Sequence, residues 1–396
     1  MREATFGWPH LQKGGQMVEI AAAPPKRLDV RGLVVQAVFL TVVVIVVVSA
    51  ISSARTNLDA LGLSSGFAFL DRATGWSYSF SLLERTIDDS YRWTLFIGFV
   101  NTLFLGVVSI ILATILGFAV GTARDATNLA VQSAAAIFIQ TFRNIPLILQ
   151  LVFWYAVLIH MPGPRQAISI LDAVFISNRG VMIPGLNIPP SAEIALLAFA
   201  VLAAFGLAWW VSTTTGRKVL IWLLLVILAA AVTSLTFTPE GEGLITYPAL
   251  KGLRFVGGLP LPIELVAMVV AITLYGAAYI AEVVRGGLKE VPRGLIEAGR
   301  ALGLHEGLIW LKIKMPMALR TIVPPLGNQW VFLMKATTIG VAIGFSDLFM
   351  IISTSITQSG QTLELIGILM AVFLLINFTL AQLINVLNAR LRLKGH

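Results

Sequence analysis

The sequence predicts an all-α polytopic membrane protein with about eight transmembrane helices. Three observations carry that prediction. Hydrophobic residues make up 57% and charged residues 12% of the 396 residues, with a mean hydropathy of +0.87; soluble proteins carry about a quarter charged residues. Apolar runs long enough to cross roughly 30 Å of hydrocarbon recur along the chain. Lys and Arg gather in alternate connections between those runs, which is the positive-inside pattern.

Residues 1–31 are polar, with Pro24, Pro25 and the basic Lys13, Lys26, Arg27 and Arg31. They read as a loosely ordered cytoplasmic arm. Leu33–Ile51 is the first span. Ser52-Ser53-Ala54 mimics a signal-peptidase site, but the apolar run and the arm before it are both too long for a signal peptide, so an uncleaved span is expected. Residues 32–93 thus comprise an extra helix and an outer loop, whose Trp76, Tyr78, Tyr91 and Trp93 suit a membrane interface. Thr94–Gly121 is the second span. Residues 128–161 are apolar but broken at Phe142-Arg143-Asn144-Ile145-Pro146: the proline removes a helix hydrogen bond, and the arginine is costly in lipid. A surface helix to about Phe142, a kink, and a span from about Pro146 to Met161 are expected. A Pro/Gly loop fills 162–191. Ala192–Val211 and Leu220–Leu235 are two further spans, joined by a tight loop with Arg217 and Lys218, and 236–260 is a second loop. Leu261–Val284 is the sixth span, Ile322–Ile352 the seventh, interrupted by Asn328, Gln329 and Lys335, and Leu365–Leu387 the eighth.

With the N-terminus inside, the cytoplasmic pieces are 1–31, 122–129, 212–219, 285–320 and 388–396. Between 285 and 320, seven Lys/Arg stand against three Glu. Both termini are then cytoplasmic, and the net charge of +8 reflects topology rather than nucleic-acid binding. The chain has no cysteine, which excludes disulfides and thiolate chemistry. His10, His160, His305 and His396 lie far apart. There is no phosphate-binding Gly-rich loop with Lys-Ser/Thr, no HExxH and no carboxylate cluster, so no catalytic residue, metal or cofactor is expected in this chain.

One stretch departs from the rest. From Ala278 to Pro316 charges recur every few residues. Pro292 and Gly303 bracket a short helix in which Leu295, Ala298, Gly299 and Leu302 form a small, apolar face. A polar helical hairpin between membrane spans is a docking surface. Inside the spans, Lys335, followed by Thr337 and Thr338, is the polar group that most needs a role or a partner. Arg143 is placed to pair with Glu282 at the inner end of the sixth span, and Asn101, Gln150, Asn328 and Gln329 read as interhelical hydrogen-bonding groups.

The hairpin resembles the Glu-Ala-Ala signature of bacterial ABC importer permeases. Glu297-Ala298-Gly299, Gly303 and Ile313-Lys314-Met315-Pro316 stand in register with it; Gly299 replaces Ala and Met315 replaces Leu. Ala278-Tyr279-Ile280-Ala281-Glu282-Val283-Val284-Arg285-Gly286-Gly287, Phe142-Arg143-Asn144-Ile145-Pro146-Leu147 and Lys335-Ala336-Thr337-Thr338-Ile339 are similar to motifs of the histidine/glutamine/arginine/opine permease group. The resemblance covers about 94–390. It implies a type I importer permease core with an extra N-terminal helix and an insertion at about 162–260. That larger build looks most like the general L-amino-acid permeases, in which two long homologous permeases pair.

The resemblance implies more. Residues 285–316 would be coupling helices docking into an ATP-binding cassette ATPase through Glu297, Ala298, Gly299, Gly303, Ile313 and Pro316. A periplasmic binding protein would deliver an L-amino acid, a second homologous permease would complete the pathway, and Lys335, Thr337 and Thr338 would be pathway candidates. Arg143, Pro146 and Glu282 would be structural or gating residues. The protein would lie in the bacterial inner membrane. Two other readings remain open on the residues. An ion-coupled secondary transporter predicts carboxylates deep in the spans, yet Glu193, Glu264, Glu282, Asp347 and Glu364 all fall near span ends. A membrane scaffold or sensor without transport fits poorly with the polar, kinked third and seventh spans.

Overall fold

The computed structural model describes residues 30–60, 66–83, 85–186, 245–252 and 254–391. The inserted spans predicted at Ala192–Val211 and Leu220–Leu235, with Glu193, Arg217 and Lys218, lie outside the described residues, as does nearly all of the N-terminal arm. The chain divides into two units, residues 1–64 and 65–396.

The first unit contributes α1, Val30–Ala60. Its apolar part is Val34–Ala50, and the helix continues past the predicted end at Ile51 into a polar segment. There Thr56 Oγ1 donates to the Ser52 carbonyl at 3.0 Å.

The second unit is a helical bundle built around α5 (Ile263–Lys289), which packs against α2 (Tyr91–Arg124), α3 (Leu129–Asn144), α4 (Leu147–Ile159) and α8 (Met315–Ala336). Small residues set the closest contact. Ala113, Gly117 and Gly121 recur every four residues along one face of α2. A Cβ at Gly121 would lie 2.7 Å from the Ala281 carbonyl oxygen, and one at Gly117 would lie 2.6 Å from Ile280 Cγ2. In lipid, where tails and side chains are equally apolar, such close backbone approach is what holds helices together.

Two predicted spans are bent. α3 and α4 meet at 103°. Ile145-Pro146 makes the corner, and Gln150 holds it: its Nε2 donates to the Phe142 carbonyl at 2.8 Å and to the Ile145 carbonyl at 2.9 Å. α8 ends at Ala336 and gives way to a tighter 3-10 segment, Thr337–Ile343, before α9 (Leu348–Ser359) departs at 48°. The interruption predicted at Asn328, Gln329 and Lys335 is not there: all three lie within the continuous α8, and the break comes after Ala336. Asn101, fully buried on α2, staples it: Nδ2 donates to the Ser346 carbonyl at 2.8 Å, and Oδ1 accepts from the Leu82 N–H at 3.1 Å. Asn328 and Gln329 make no such bond within the described residues. α10 (Thr362–Leu391) completes the bundle. Among the described residues three helices are long and apolar enough to cross a membrane, or five if each bent pair counts as one span.

The regions read as plain loops at 162–191 and 236–260 contain strands. β1 (Ile168–Ile170), β2 (Val174–Ser177), β3 (Gly180–Ile183) and β8 (Leu259–Leu261) form one antiparallel sheet. β4 (Gly185–Leu186) pairs with β5 (Ile245–Thr246), and β6 (Ala249–Lys251) with β7 (Arg254–Val256). Scattered Pro and Gly concealed these short aliphatic strands. α5 also runs to Lys289 rather than stopping at Val284, so it carries Arg285 as well as Glu282 as a helical residue.

Candidate functional site

The charged stretch folds as a helical hairpin. α6 (Arg293–Ala301) follows Pro292, whose fixed φ suits a helix entry. It ends where the Leu304 N–H bonds the Gly299 carbonyl at 3.1 Å and the Gly303 N–H bonds the Arg300 carbonyl at 2.9 Å. This paired closure needs a left-handed residue, and Gly303 has φ +75°. His305 then caps α7 (Glu306–Ile309), Nδ1 accepting from the Leu308 N–H at 3.4 Å. Arg300 Nε and Glu306 Oε1, 2.6 Å apart, clasp the two arms. That hydrogen bond from Arg300 holds the Glu306 carboxyl below its ordinary range.

The hairpin has an inside and an outside. Gly299 is buried against Ile309 and Ile313: a Cβ there would sit 2.9 Å from Cδ1, the far end of the Ile313 side chain. Leu295, Glu297, Ala298 and Gly303 are exposed, and Leu302 is 80% exposed. The signature residues therefore split by role. Gly299 and Ile313 hold the arms together, while Glu297, Ala298 and Gly303 face outward with Leu302. A widened π turn, Trp310–Lys314, joins α7 to α8 just before Pro316. The proline has no N–H to give to the ladder, and such a bulge is one way a helix absorbs that loss.

The hairpin is tied back to the bundle. Lys314 Nζ and an Asp125 carboxylate oxygen form a half-buried ion pair, linking the start of α8 to the α2–α3 turn. Sequence placed both residues on one side of the membrane but gave no sign that they touch.

Arg143 and Glu282 do not pair. Glu282 is taken by Arg285 one turn along α5, with Arg285 Nε donating to Oε2 at 3.0 Å. Arg143 instead lies over the Tyr279 ring, 5.1 Å from its centroid. The extension of α5 beyond Val284 explains the change, because it presents Arg285 on the face that Glu282 occupies. Tyr279 in turn packs on Tyr275 (4.8 Å), which stacks on Phe332 of α8 (5.9 Å). The aromatic run had no signal beyond i, i+4 spacing on α5.

Asn328, Phe332 and Lys335 lie on one exposed face of α8, spaced at four and three residues. Lys335 has no side-chain partner among the described residues. Thr338 lies one turn further on. Thr337 points elsewhere: it is fully buried, and its hydroxyl donates to the Met334 carbonyl at 2.9 Å. Of the three pathway candidates, Lys335 and Thr338 therefore stay accessible and Thr337 does not.

Asp347 was read as a span-end residue, but it is fully buried. It caps α9, its Oδ1 accepting from the Met350 N–H at 2.8 Å, while Oδ2 has no partner among the described residues. Its place in the break between two helices kept this burial out of reach of hydropathy.

Residues 113–393 match the family described as binding-protein-dependent transport system inner membrane component. YhdX of Escherichia coli strain K12, named as an amino-acid ABC transporter permease, is 38% identical over 85% of this chain and 88% of its own length. The general L-amino acid transport system permease AapQ of Rhizobium johnstonii is 33% identical over 85% of this chain and 86% of its own. BztB of Rhodobacter capsulatus, a glutamate/glutamine/aspartate/asparagine transport system permease, is 31% identical over 95% of this chain and 99% of its own.

Proposed function

Because the chain belongs to the family of binding-protein-dependent transport system inner membrane components, we propose that it is the permease subunit of an ATP-driven importer of L-amino acids. It forms part of the membrane passage and hydrolyses no ATP itself. An ATP-binding cassette subunit receives the 285–316 hairpin in a surface groove, a binding protein delivers the amino acid on the far side, and a second homologous permease completes the pathway. Both termini lie on the hairpin's side of the membrane.

One observation carries this reading: the outward face of the hairpin. Exposed Leu302, Leu295 and Ala298 form an apolar patch on one side of α6, on helices clasped into one shape, while Glu297 is exposed on the other side of that helix. A preformed helical knob of this kind suits a groove, since little freedom is left to lose on docking. The route from the knob into the bundle is short. α5 ends three residues before α6, and Lys314 grips the α2–α3 turn. Closure of an ATPase dimer would move the hairpin, α5 and α2 together, and so shift the balance between access states. Lys335, on the exposed face of α8 with Asn328 and Phe332, offers a positive charge to an amino acid's carboxylate.

The test is uptake of labelled amino acids by vesicles containing the chain with its permease partner, with and without the ATP-binding subunit. Uptake requires that subunit and ATP. Transport driven by an ion gradient in its absence would overturn the reading.

A further inference from the structure

The four-stranded sheet has two unlike faces. Ile168 pairs with Ile176 and Ile170 with Val174, so all four side chains project to one side. Val181 opposes both Ile176 and Leu261, and Ile183 opposes Leu259, which extends the same side across β3 and β8. Every residue on this face is aliphatic and none is fully buried; Leu261 packs against the helical core, while Ile168, Ile170 and Leu259 are each close to half exposed. The other face carries Ser169, Ser177, Gly180, Met182 and Pro260, together with Phe175, which packs on Phe255 of the β6–β7 ribbon at 5.1 Å.

That ribbon is two-sided as well. Phe255 and Leu250 lie on one side, and Lys251 and Arg254, directly opposed across the strands, lie on the other with Ala249 and Val256. Two like charges in that arrangement repel and require high-dielectric surroundings. The layered block is therefore aliphatic at one outer surface and cationic at the opposite one. Its attachments are membrane helices: α4 ends at Ile159 just before it, and β8 ends at Leu261, two residues before α5 begins. α5 leads away from the block to the hairpin, so the two lie at opposite ends of that helix.

The tip adds a third feature. Leu171 and Asp172 turn β1 into β2 with φ of +53° and +51°, closed by the Ala173 N–H to the Ile170 carbonyl at 3.2 Å. Asn-Gly is the usual choice for such a turn. Aspartate tolerates the left-handed conformation, and Asp172 is steadied by the Ser169 hydroxyl at 3.0 Å; leucine gains nothing from it. Leu171 is nonetheless there, and it is 94% exposed.

We propose that this sheet is a membrane-surface anchor: its aliphatic face, with Leu171, lies in the lipid of the leaflet remote from the hairpin, and its cationic side faces water. Composition selects lipid over a protein partner. Protein interfaces are enriched in Tyr, Trp, Met and Arg and carry a hydrogen-bonding rim, whereas this face offers aliphatic carbon alone, as interfacial elements that lie in the membrane plane do. The anchor fixes the height of the α4 and α5 ends against the bilayer. It requires the membrane location of the chain but is independent of the substrate carried.

The sequence contains no cysteine, so single cysteines can be labelled with an environment-sensitive fluorophore in the full-length protein. Ile170→Cys and Leu171→Cys report on the aliphatic face and tip, and Ser169→Cys on the opposite face. After reconstitution in phosphatidylethanolamine/phosphatidylglycerol vesicles, two quenchers are compared: a lipid with a nitroxide near its headgroup, and aqueous iodide. The expected result is several-fold stronger quenching by the lipid nitroxide at 170 and 171, with the reverse at 169. Iodide quenching alone at 170 and 171 means the face is in water and overturns the proposal. Protection from both quenchers means that protein covers the face, whether residues 187–244 or a partner subunit, and overturns it equally. Equal lipid quenching at 169 and 170 removes the assigned orientation and overturns it too. Leu171→Cys substitutes a side chain already free of the fold, so a failure of Ile170→Cys to fold leaves the comparison intact.

Discussion

Leu302 gives the proposed docking surface a measurable size. The side chain is 80% exposed on the free chain, so truncation to alanine removes almost no contact from the hairpin itself. Surface changes of that kind alter fold stability by no more than about 0.5 kcal/mol. If docking buries the side chain, Leu302→Ala withdraws three carbons from a dry contact. At about 0.8 kcal/mol per buried carbon, and with four-fifths of the side chain newly buried, the loss is about 2 kcal/mol. One tenfold change in affinity corresponds to about 1.4 kcal/mol, so the Kd for the ATP-binding subunit should rise about 25-fold.

The assay is titration of fluorescently labelled ATP-binding subunit with the detergent-solubilised permease complex, with thermal unfolding of each variant measured in parallel. Ile309→Ala is the internal comparison. Ile309 is 2% exposed and fills the space beside Gly299, so its truncation should cost about 2–5 kcal/mol of local stability and weaken docking only by disordering the hairpin. The expected signature is therefore a split, with Leu302→Ala changing Kd but not unfolding and Ile309→Ala changing both. An unchanged Kd for Leu302→Ala, within twofold, would show that this face stays in water and refute the docking geometry.

Gly121→Ala should lower stability by about 1–3 kcal/mol, because the new Cβ meets the Ala281 carbonyl oxygen at 2.7 Å. Gly286→Ala on α5 has nothing within 4 Å and should be neutral or stabilising in the same thermal scan. Asp125→Ala and Lys314→Ala should each destabilise the chain, and the double variant should be no worse than the worse single, giving a coupling of about 1 kcal/mol in a double-mutant cycle; simple additivity would mean the ion pair does nothing. Glu306 has a folded pKa below its ordinary value. Its contribution is therefore complete above that ordinary value, near 4.3, and fades as pH falls through the lower folded one. Amide-exchange protection at Leu304 should accordingly be weaker in Glu306→Gln than in wild type at neutral pH, and the two should converge in acid; a pH-independent gap would assign the effect to something else. Lys335→Ala should reduce uptake while the subunits still co-purify, and unchanged uptake kinetics would remove Lys335 from the pathway.

How much of this was legible in the sequence depends on whether the information runs along the chain or across it. Hydropathy and charge placement marked the long helices, because the length of an apolar run is set by the bilayer it must cross. The hairpin was legible for a similar reason. Pro292 and Gly303 mark an entry and an exit by local backbone constraints, and φ +75° at Gly303 is what its position demanded. The bend at Pro146 was legible too, but not its brace: Gln150 reaches back five and eight residues to carbonyls freed by the corner itself. The strands at 168–186 and 245–261 were invisible because each is two to four residues long, too short for alternation to emerge.

Partnerships across the bundle were the least legible, and Arg143 shows why. Charge alone pointed it at Glu282, a sound inference if the sixth helix ends at Val284. Once the helix continues to Lys289, Arg285 stands one turn from Glu282 on the same helix. A neighbour at i+3 is already in place when the helix forms, whereas Arg143 must be brought in by tertiary packing. The nearer cation wins, and Arg143 settles over Tyr279. The same logic separates Thr337 from Lys335. They are two residues apart in a polar cluster, but more than half a turn apart where α8 passes into the tighter Thr337–Ile343 segment, so packing against the bundle buries one and leaves the other on the open face. Residue type nominates a pathway residue; helical phase against a partner decides which nominee can serve.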